Sequence, residues 1–362
     1  GDLRMVALLV DNLGRVALSR GDLASAKPYL DEAVSIRRSM DDGPALAASL
    51  NLLAEISTRQ GNYGEGIAHY QASLDVLRAA SSAERQTDLD NALCGLANVL
   101  ILTADYHQAR ELLDEALIRS RDAKQLVGQA GANYLMGRLE TELGDFDAAS
   151  ARYAEALALR RKLGFEAGIA WVLHSMGEME LRRGRYPIAG VYLGRSLATK
   201  EKLGDPWNAA FTHVSMAELA CLEGDLDRAR DRLAVGLEIA TSGGNGPLVA
   251  QALRVGAQVH LLSGEANAAA ADLARGLEMC LDFGELRSIA VFLDLAARVA
   301  EAMDRPQEAM RCLDLAEDLR QRIGAPRTVD EVNQLPRVAA RPAQTQAGTE
   351  PVTIEGDAKE PS

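Results

Sequence analysis

The sequence is built from a repeat of about forty residues. A short motif marks each copy: a small residue, then Asp or Asn, then an apolar residue, as in Gly21-Asp22-Leu23 and Gly144-Asp145-Phe146. Its clear and degenerate copies begin at positions 21, 61, 104, 144, 184, 224, 264 and 304. Successive copies are 40 residues apart, except for one interval of 43. Such regular spacing is typical of arrays in which each unit packs against its neighbours.

Two further positions of the repeat hold only Gly or Ala. Seven residues before the motif and five after it, all sixteen residues belong to these two types. Small residues let two consecutive helices approach closely, and a larger side chain would force them apart at a cost of about 1–3 kcal/mol. In repeats 4 to 6 these structural small positions are Gly137, Ala149, Gly177, Ala189, Ala217 and Ala229.

Local signals around the motif favour helices. Asp105 precedes Gln108 by three residues, which is the spacing of a helix cap and its partner. Leu173, Met176 and Met179 recur at helical spacing. The sequence therefore predicts an all-α fold of about eight antiparallel helical hairpins over residues 1–324.

These motifs resemble the tetratricopeptide repeat family. The best copy contains Tyr134-Leu135-Met136-Gly137, Gly144-Asp145-Phe146, Ala149 and Tyr153. The period exceeds the usual 34 residues, and it is similar to the long repeats in the C-terminal arms of bacterial MalT-like and other LuxR-type signal-transduction ATPases (STAND regulators). The resemblance implies a right-handed superhelical solenoid whose concave groove is lined by the first helix of each hairpin.

The two ends of the chain give different expectations. After Gly324 and Pro326, residues 325–336 are predicted to form a capping helix, and residues 337–362, which lack aromatic residues, a disordered tail. Gly1-Asp2 resembles the end of an inter-repeat linker. The first helix follows without an initiating Met, and we expect no polar side chain to cap its N-terminus. We therefore expect a nucleotide-binding domain upstream in the same polypeptide.

The motifs of common enzymes are missing from the sequence. It contains no Gly-Lys dipeptide, so it has no phosphate-binding loop of the Walker type, and it lacks G-x-S-x-G and H-E-x-x-H. Its five histidines fall in five different repeats without the paired spacing of metal ligands. We predict no catalytic residues, no metal site and no cofactor.

Composition narrows the choice of partner and compartment. A formal net charge of −13 disfavours direct nucleic-acid binding, which needs a basic face. No apolar stretch approaches the roughly 18 residues of a membrane span. Four scattered cysteines without a C-x-x-C pair are typical of a reducing compartment, so we predict a cytoplasmic protein.

The resemblance assigns groove positions, and aromatic residues cluster there in repeats 4 to 6. Trp171, His174 and Glu178 share one helix face by their spacing. The predicted partner or ligand groove consists of Tyr134, Arg138, Trp171, His174, Glu178, Phe211 and Glu218. The alternative is that Trp171 and Phe211 pack between hairpins as ordinary core. The groove positions contain no Lys, which disfavours an adaptor that clamps chaperone tails.

A basic cluster also recurs near the ends of the second helices, although Glu238 and Glu278 interrupt the series. It includes Arg37, Arg160 to Lys162, Lys200 and Lys202. One interpretation is favourable placement of cations at helix C-termini. The other is a ridge for an acidic partner or nucleic acid.

Together these patterns predict a non-catalytic module that recognises a protein, a peptide or a small polar inducer. Its expected role is the C-terminal sensory and scaffolding arm of a bacterial multidomain regulator. The alternatives are a free-standing scaffold that assembles other proteins and, least favoured, an enzyme with an unrecognised site.

Overall fold

The computed structural model describes residues 2–40, 42–79 and 86–327, which form sixteen α-helices and no β-strand. Consecutive helices pair into hairpins, and we call the first helix of each hairpin A and the second B, in repeats 1 to 8. The predicted fold class, an all-α solenoid of eight hairpins, is confirmed. The helices are α1 Leu3–Ser19, α2 Leu23–Ser39, α3 Gly43–Gln60, α4 Tyr63–Ala79, α5 Gln86–Leu102, α6 Tyr106–Asp122, α7 Leu126–Glu142, α8 Phe146–Lys162, α9 Glu166–Arg182, α10 Tyr186–Lys202, α11 Pro206–Glu223, α12 Leu226–Ser242, α13 Gly246–Leu262, α14 Ala266–Phe283, α15 Leu286–Ala302 and α16 Pro306–Ile323.

The repeated motif is the turn between helices A and B. Its first residue has a left-handed backbone in all eight copies, and at Gly144, for example, φ is 79°. Glycine adopts this conformation without steric cost. The next residue often caps helix B: a side-chain oxygen of Asp145 accepts a hydrogen bond from the Ala148 backbone N–H at 3.0 Å. The apolar third residue then starts helix B. Ala104 and Asp304 hold the same left-handed turn without glycine, at φ of 65° and 59°.

The small positions lie where helices A and B cross. Ala149 and Ala189 are completely buried. At Gly137, a Cβ atom would lie only 2.6 Å from the ring of Tyr153 on the facing helix. A glycine therefore makes room for a large partner at this crossing, in agreement with the close approach that the sequence pattern predicts.

The superhelix winds tightly enough for distant repeats to touch. The indole of Trp207 at the start of α11 lies against the turn of repeat 1, where a Cβ on Gly21 would come within 2.0 Å of it. Phe283 packs against Tyr63 of repeat 2, with ring centroids 6.3 Å apart. The Tyr63 hydroxyl also donates a hydrogen bond to the Glu285 carboxylate. We call Tyr63, Trp207, Phe283 and Glu285 the closure contact.

One expectation about the ends is wrong, and others lie outside the described residues. A side-chain oxygen of Asp2 accepts from the Arg4 backbone N–H at 3.0 Å, so α1 has a polar N-cap after all. Most of the predicted capping helix and the whole predicted tail fall beyond residue 327, outside the described part of the chain. Before that point, Pro326 packs near Gly144.

None of the described helices is both long and apolar enough to span a lipid bilayer. The four cysteines are free thiols. Burial raises the pKa of Cys94 and of Cys221 to about 12, so both are protonated near neutral pH.

Candidate functional site in the groove wall of repeats 4 to 6

The A helices form the inner wall of the superhelix. From repeat 2 onwards, each A helix packs on its own B helix and on the preceding one. Neighbouring A helices also touch, as α9 touches α7 and α11. This arrangement places the A helices on the concave side of the curved array. The predicted groove residues all lie on α7, α9 and α11.

An aromatic cluster joins repeats 5 and 6 on this wall. The rings of Trp171 and Phe211 lie 5.2 Å apart at 64°, and Trp171 and His174 lie 5.4 Å apart at 86°. These are favourable edge-on geometries for aromatic pairs. Trp171 and Phe211 remain partly exposed, whereas His174 is only 3% exposed. Two rings of the cluster are therefore accessible from the groove, while His174 lies inside the wall.

Glu178 sits one helical turn beyond this cluster and is held by neighbours from two helices. Its Oε1 accepts a hydrogen bond from the Ser215 hydroxyl at 3.0 Å and lies 3.4 Å from His174 Nε2. Burial opposes ionisation of Glu178, but His174 and the guanidinium groups of Arg182 and Arg138 outweigh it and lower the pKa of the carboxyl. Glu178 is therefore a fixed negative charge in the wall at neutral pH.

Tyr134 and Arg138 connect this region to the preceding repeats. The hydroxyl oxygens of Tyr134 and Ser175 lie 3.2 Å apart, which links α7 to α9. Arg138 donates a hydrogen bond to the side-chain oxygen of Asn98 on α5. The predicted positions in repeats 4 and 5 thus belong to one continuous polar and aromatic surface.

Glu218 lies farther along α11 and has a different partner. Its Oε1 accepts a hydrogen bond from Arg254 of repeat 7 at 2.6 Å, and both side chains are mostly buried. This ion pair extends the wall towards repeat 7.

The prediction missed Lys200, a buried cation directly behind the aromatic cluster. Its Nζ donates to the Thr212 hydroxyl at 2.9 Å and lies 4.1 Å from the centroid of the Trp171 ring, in cation–π contact. The side chain is among the most completely buried, with the residue 2% exposed. Burial lowers the pKa of Lys200 to about 7, although Glu178 and Asp205 counteract it.

A sequence signal for this lysine exists in the repeat register. Sixteen residues after the first motif position, four repeats carry a buried cation: Arg37, Arg160, Lys200 and Arg320. In repeats 1 and 8 a helix A carboxylate neutralises it, as Asp11 does for Arg37 at 3.0 Å. In repeats 4 and 5 an aromatic ring contacts the cation instead, and the guanidinium carbon of Arg160 lies 4.6 Å from the Tyr134 ring centroid.

These positions divide the basic cluster into two kinds of residue. Arg37, Arg160 and Lys200 point into the array and are not available as an external ridge. Other members lie outside and pair with nearby carboxylates, as Lys202 does with Glu166 of the same hairpin at 3.3 Å. Among the described residues, no group of three or more His, Cys, Asp or Glu side chains is placed to hold a metal ion.

Comparison of sequences identifies the repeat. The family model described as tetratricopeptide repeat matches residues 4–79, 45–121, 88–162 and 128–202, which together span more than half of the chain. No curated protein sequence matches significantly.

Solved structures share the fold over most of the chain. A Rap protein complexed with competence and sporulation factor is 15% identical, with a TM-score of 0.70, over 89% of this chain and 87% of that one. NprR in complex with its cognate peptide NprX is 18% identical, with a TM-score of 0.65, over 89% of each chain. The STAND protein PH0952 from Pyrococcus horikoshii, which has a tetratricopeptide repeat sensor, is 12% identical, with a TM-score of 0.50, over 86% of this chain and 47% of that one. At these identities the similarity concerns the fold alone.

Proposed function

We propose that this chain, which belongs to the tetratricopeptide repeat family, binds a peptide segment in the groove wall of repeats 4 to 6. The observation that carries the proposal is the contact between two partly exposed rings, Trp171 and Phe211, on adjacent A helices. Only 4% of the residues in this chain are aromatic, and such rings are typical anchors of binding sites. Glu178 and Arg138 flank them with opposite charges, which suits a polar peptide better than a nucleic acid.

Two of the structurally similar proteins support a peptide as the ligand. The NprR structure contains its cognate peptide, and the Rap structure contains competence and sporulation factor. Their arrays match this chain over nearly its full length, so a groove of comparable extent is available here. A small polar inducer would contact the same two rings but would cover a smaller part of the groove wall.

We further propose that this recognition regulates an attached output domain, as in a bacterial multidomain regulator. The STAND protein PH0952 pairs such an array, described as its sensor, with a signal-transduction ATPase. In this chain the nucleotide-binding domain would belong to the same polypeptide. A free-standing scaffold would use the same groove without this coupling.

Regulation requires that the ligand bind two arrangements of the array with different affinity. The closure contact offers a physical route to such a difference. Trp207 lies one helical turn before Phe211 on α11, so a ligand that shifts Phe211 acts on the helix whose first turn touches repeat 1. A tenfold bias between two arrangements corresponds to about 1.4 kcal/mol.

A selection from a random dodecapeptide phage library tests the binding proposal. Peptides that bind the parent chain are measured against a variant with Trp171→Ala and Phe211→Ala. Because two aromatic anchors are removed, the dissociation constant should rise at least about a hundredfold. The matched control is Tyr29→Ala, which removes an exposed ring from helix B of repeat 1 and should leave binding unchanged.

The two affinities can be compared only if circular dichroism shows the same helix content in the double variant as in the parent chain. If the selected peptides bind the double variant as tightly as the parent, the rings serve packing alone and the proposal is wrong.

A further inference from the structure

The closure contact is part of a longer line of contacts between successive turns of the superhelix, which we call the seam. Trp207, at the start of repeat 6, lies against Gly21 in the turn of repeat 1. Gly246, at the start of repeat 7, lies against the end of helix A of repeat 2, where a Cβ atom would be only 3.0 Å from the Gln60 carbonyl oxygen. Helices α3 and α13 are therefore neighbours although four repeats separate them along the chain.

The seam continues beyond repeat 7. Arg287 Nε, at the start of repeat 8, lies 3.5 Å from a carboxylate oxygen of Glu142 at the end of helix A of repeat 4. Pro326, after α16, packs beside the turn of repeat 4 at Gly144. Its neighbour Ala325 is 2% exposed and belongs to the apolar core of repeats 2 to 4. Contacts of the seam thus recur from repeat 1 to repeat 4.

These contacts close the array into a ring of hairpins. The two partners are five repeats apart both at the contact of repeat 1 with repeat 6 and at that of repeat 2 with repeat 7. Because the A helices line the inside of the superhelix, the groove wall of repeats 4 to 6 lies within this ring. The partly exposed side chains of Trp171 and Phe211 are therefore reached from the interior of the ring.

Opening the seam would expose groups that are paired or buried when it is closed. The Glu142 carboxylate lies between Arg287 across the seam and Arg182 of repeat 5, whose Nη1 is 2.8 Å away. Separating a buried ion pair is unfavourable, and the apolar rings of Trp207 and Phe283 would lose contacts with the opposite turn. In the described part of the chain, the closed seam therefore obstructs entry from the side, between successive superhelical turns.

We propose that the ligand enters the ring along the superhelix axis and is therefore a peptide with at least one free end. This entry route rests on the peptide site proposed above and defines its ligand class: a chain terminus or a short free peptide. A segment held between two folded domains has no free end to insert, so it would have to wait until the seam opens. An internal loop of a folded partner is disfavoured for the same reason.

Three forms of one library-selected dodecapeptide test this route with the full chain. The peptide is free, fused at its C-terminus to a folded domain, or placed between two folded domains. Gly/Ser linkers of about twenty residues, which span about 25 Å on average, hold the domains away from the array. The first two forms should associate at equal rates in stopped-flow measurements. The doubly fused form should associate at least about a hundredfold more slowly, because binding requires a conformational change.

A variant with Trp207→Ala and Phe283→Ala loosens the seam. It should accelerate association of the doubly fused form at least about tenfold, while the free peptide keeps its parent rate. The matched control is Phe165→Ala, which removes an exposed ring from the turn before repeat 5 and should change neither rate. Circular dichroism should show the parent helix content in both variants.

Two results would overturn axial entry: a doubly fused peptide that associates with the parent as fast as the free one, or a doubly fused peptide that the seam variant does not accelerate. Failure of the peptide site itself is a different result. In that case the free peptide would bind equally well to the parent and to the variant with Trp171→Ala and Phe211→Ala.

Discussion

At the residue scale, the least expected feature of the groove wall is the buried amine of Lys200. It touches a hydroxyl and an aromatic ring, whereas Arg37 at the equivalent position is paired with Asp11. The sequence places Lys200 in a basic cluster at a helix end, where cations are usually solvated. Its inward direction shows only when it is compared with the same register position of the other repeats, because the spacing of charged residues within one repeat does not determine it.

Replacing Lys200 with Met should change how stability depends on pH. The pKa of Lys200 is about 7 in the folded chain and near its ordinary 10.5 when unfolded. Between these values the unfolded chain binds more protons, so the parent gains stability as pH rises, by up to about 1.4 kcal/mol per unit. Lys200→Met should therefore be the more stable protein at pH 6, and its advantage should shrink between pH 7 and pH 10.

Urea unfolding of both proteins across this pH range measures the effect. Lys202→Met, two residues away at a largely exposed side chain, is the control and should follow the parent. A stability difference between Lys200→Met and the parent that stays constant with pH would contradict a depressed pKa for the buried amine.

At the element scale, the sequence predicts the hairpins well because their determinants are local. The left-handed turn at Gly144 and the cap at Asp145 each require particular residue types, so they recur visibly at every 40 residues. The small residues are equally visible, since only Gly or Ala fits the crossing. By contrast, Ala104 and Asp304 adopt the same turn conformation without glycine, supported by the surrounding hairpins.

Ala149→Leu tests the crossing of α7 and α8 directly. Ala149 is completely buried there, so the longer side chain should overpack the crossing and lower the free energy of unfolding by about 1–3 kcal/mol. Because repeats contact mainly their neighbours, hydrogen exchange should accelerate most in repeats 3 to 5. The control is Ala154→Leu on the exposed side of the same helix. Equal stability of the two variants would show that the crossing tolerates a large side chain.

At the scale of the whole molecule, the repeat predicts a solenoid but not how tightly it winds. Curvature is the sum of small rotations between hairpins, and each depends on side chains such as Trp171 and Lys200 packed between A helices. Nothing in the sequence pairs Trp207 with Gly21, or Tyr63 with Glu285, which are more than 180 residues apart. The closure contact therefore emerges only from the assembled superhelix.

The same limit applies to the candidate site. The repeat register and the family resemblance predict that Trp171, Phe211 and Tyr134 lie on neighbouring helices. They do not predict that His174 is buried beneath the rings or that Glu218 pairs with Arg254. Those details follow from the twist between hairpins, which brings positions of the same register into different surroundings.

Hydrogen–deuterium exchange with a library-selected peptide bound tests the central claim, that the groove wall of repeats 4 to 6 is the recognition surface. Binding there should protect backbone amides of α7, α9 and α11, because a bound peptide restrains the A helices it contacts. Protection should disappear when Trp171 and Phe211 are both replaced by Ala. Protection confined to helices outside repeats 4 to 6, with α9 and α11 unchanged, would contradict the account.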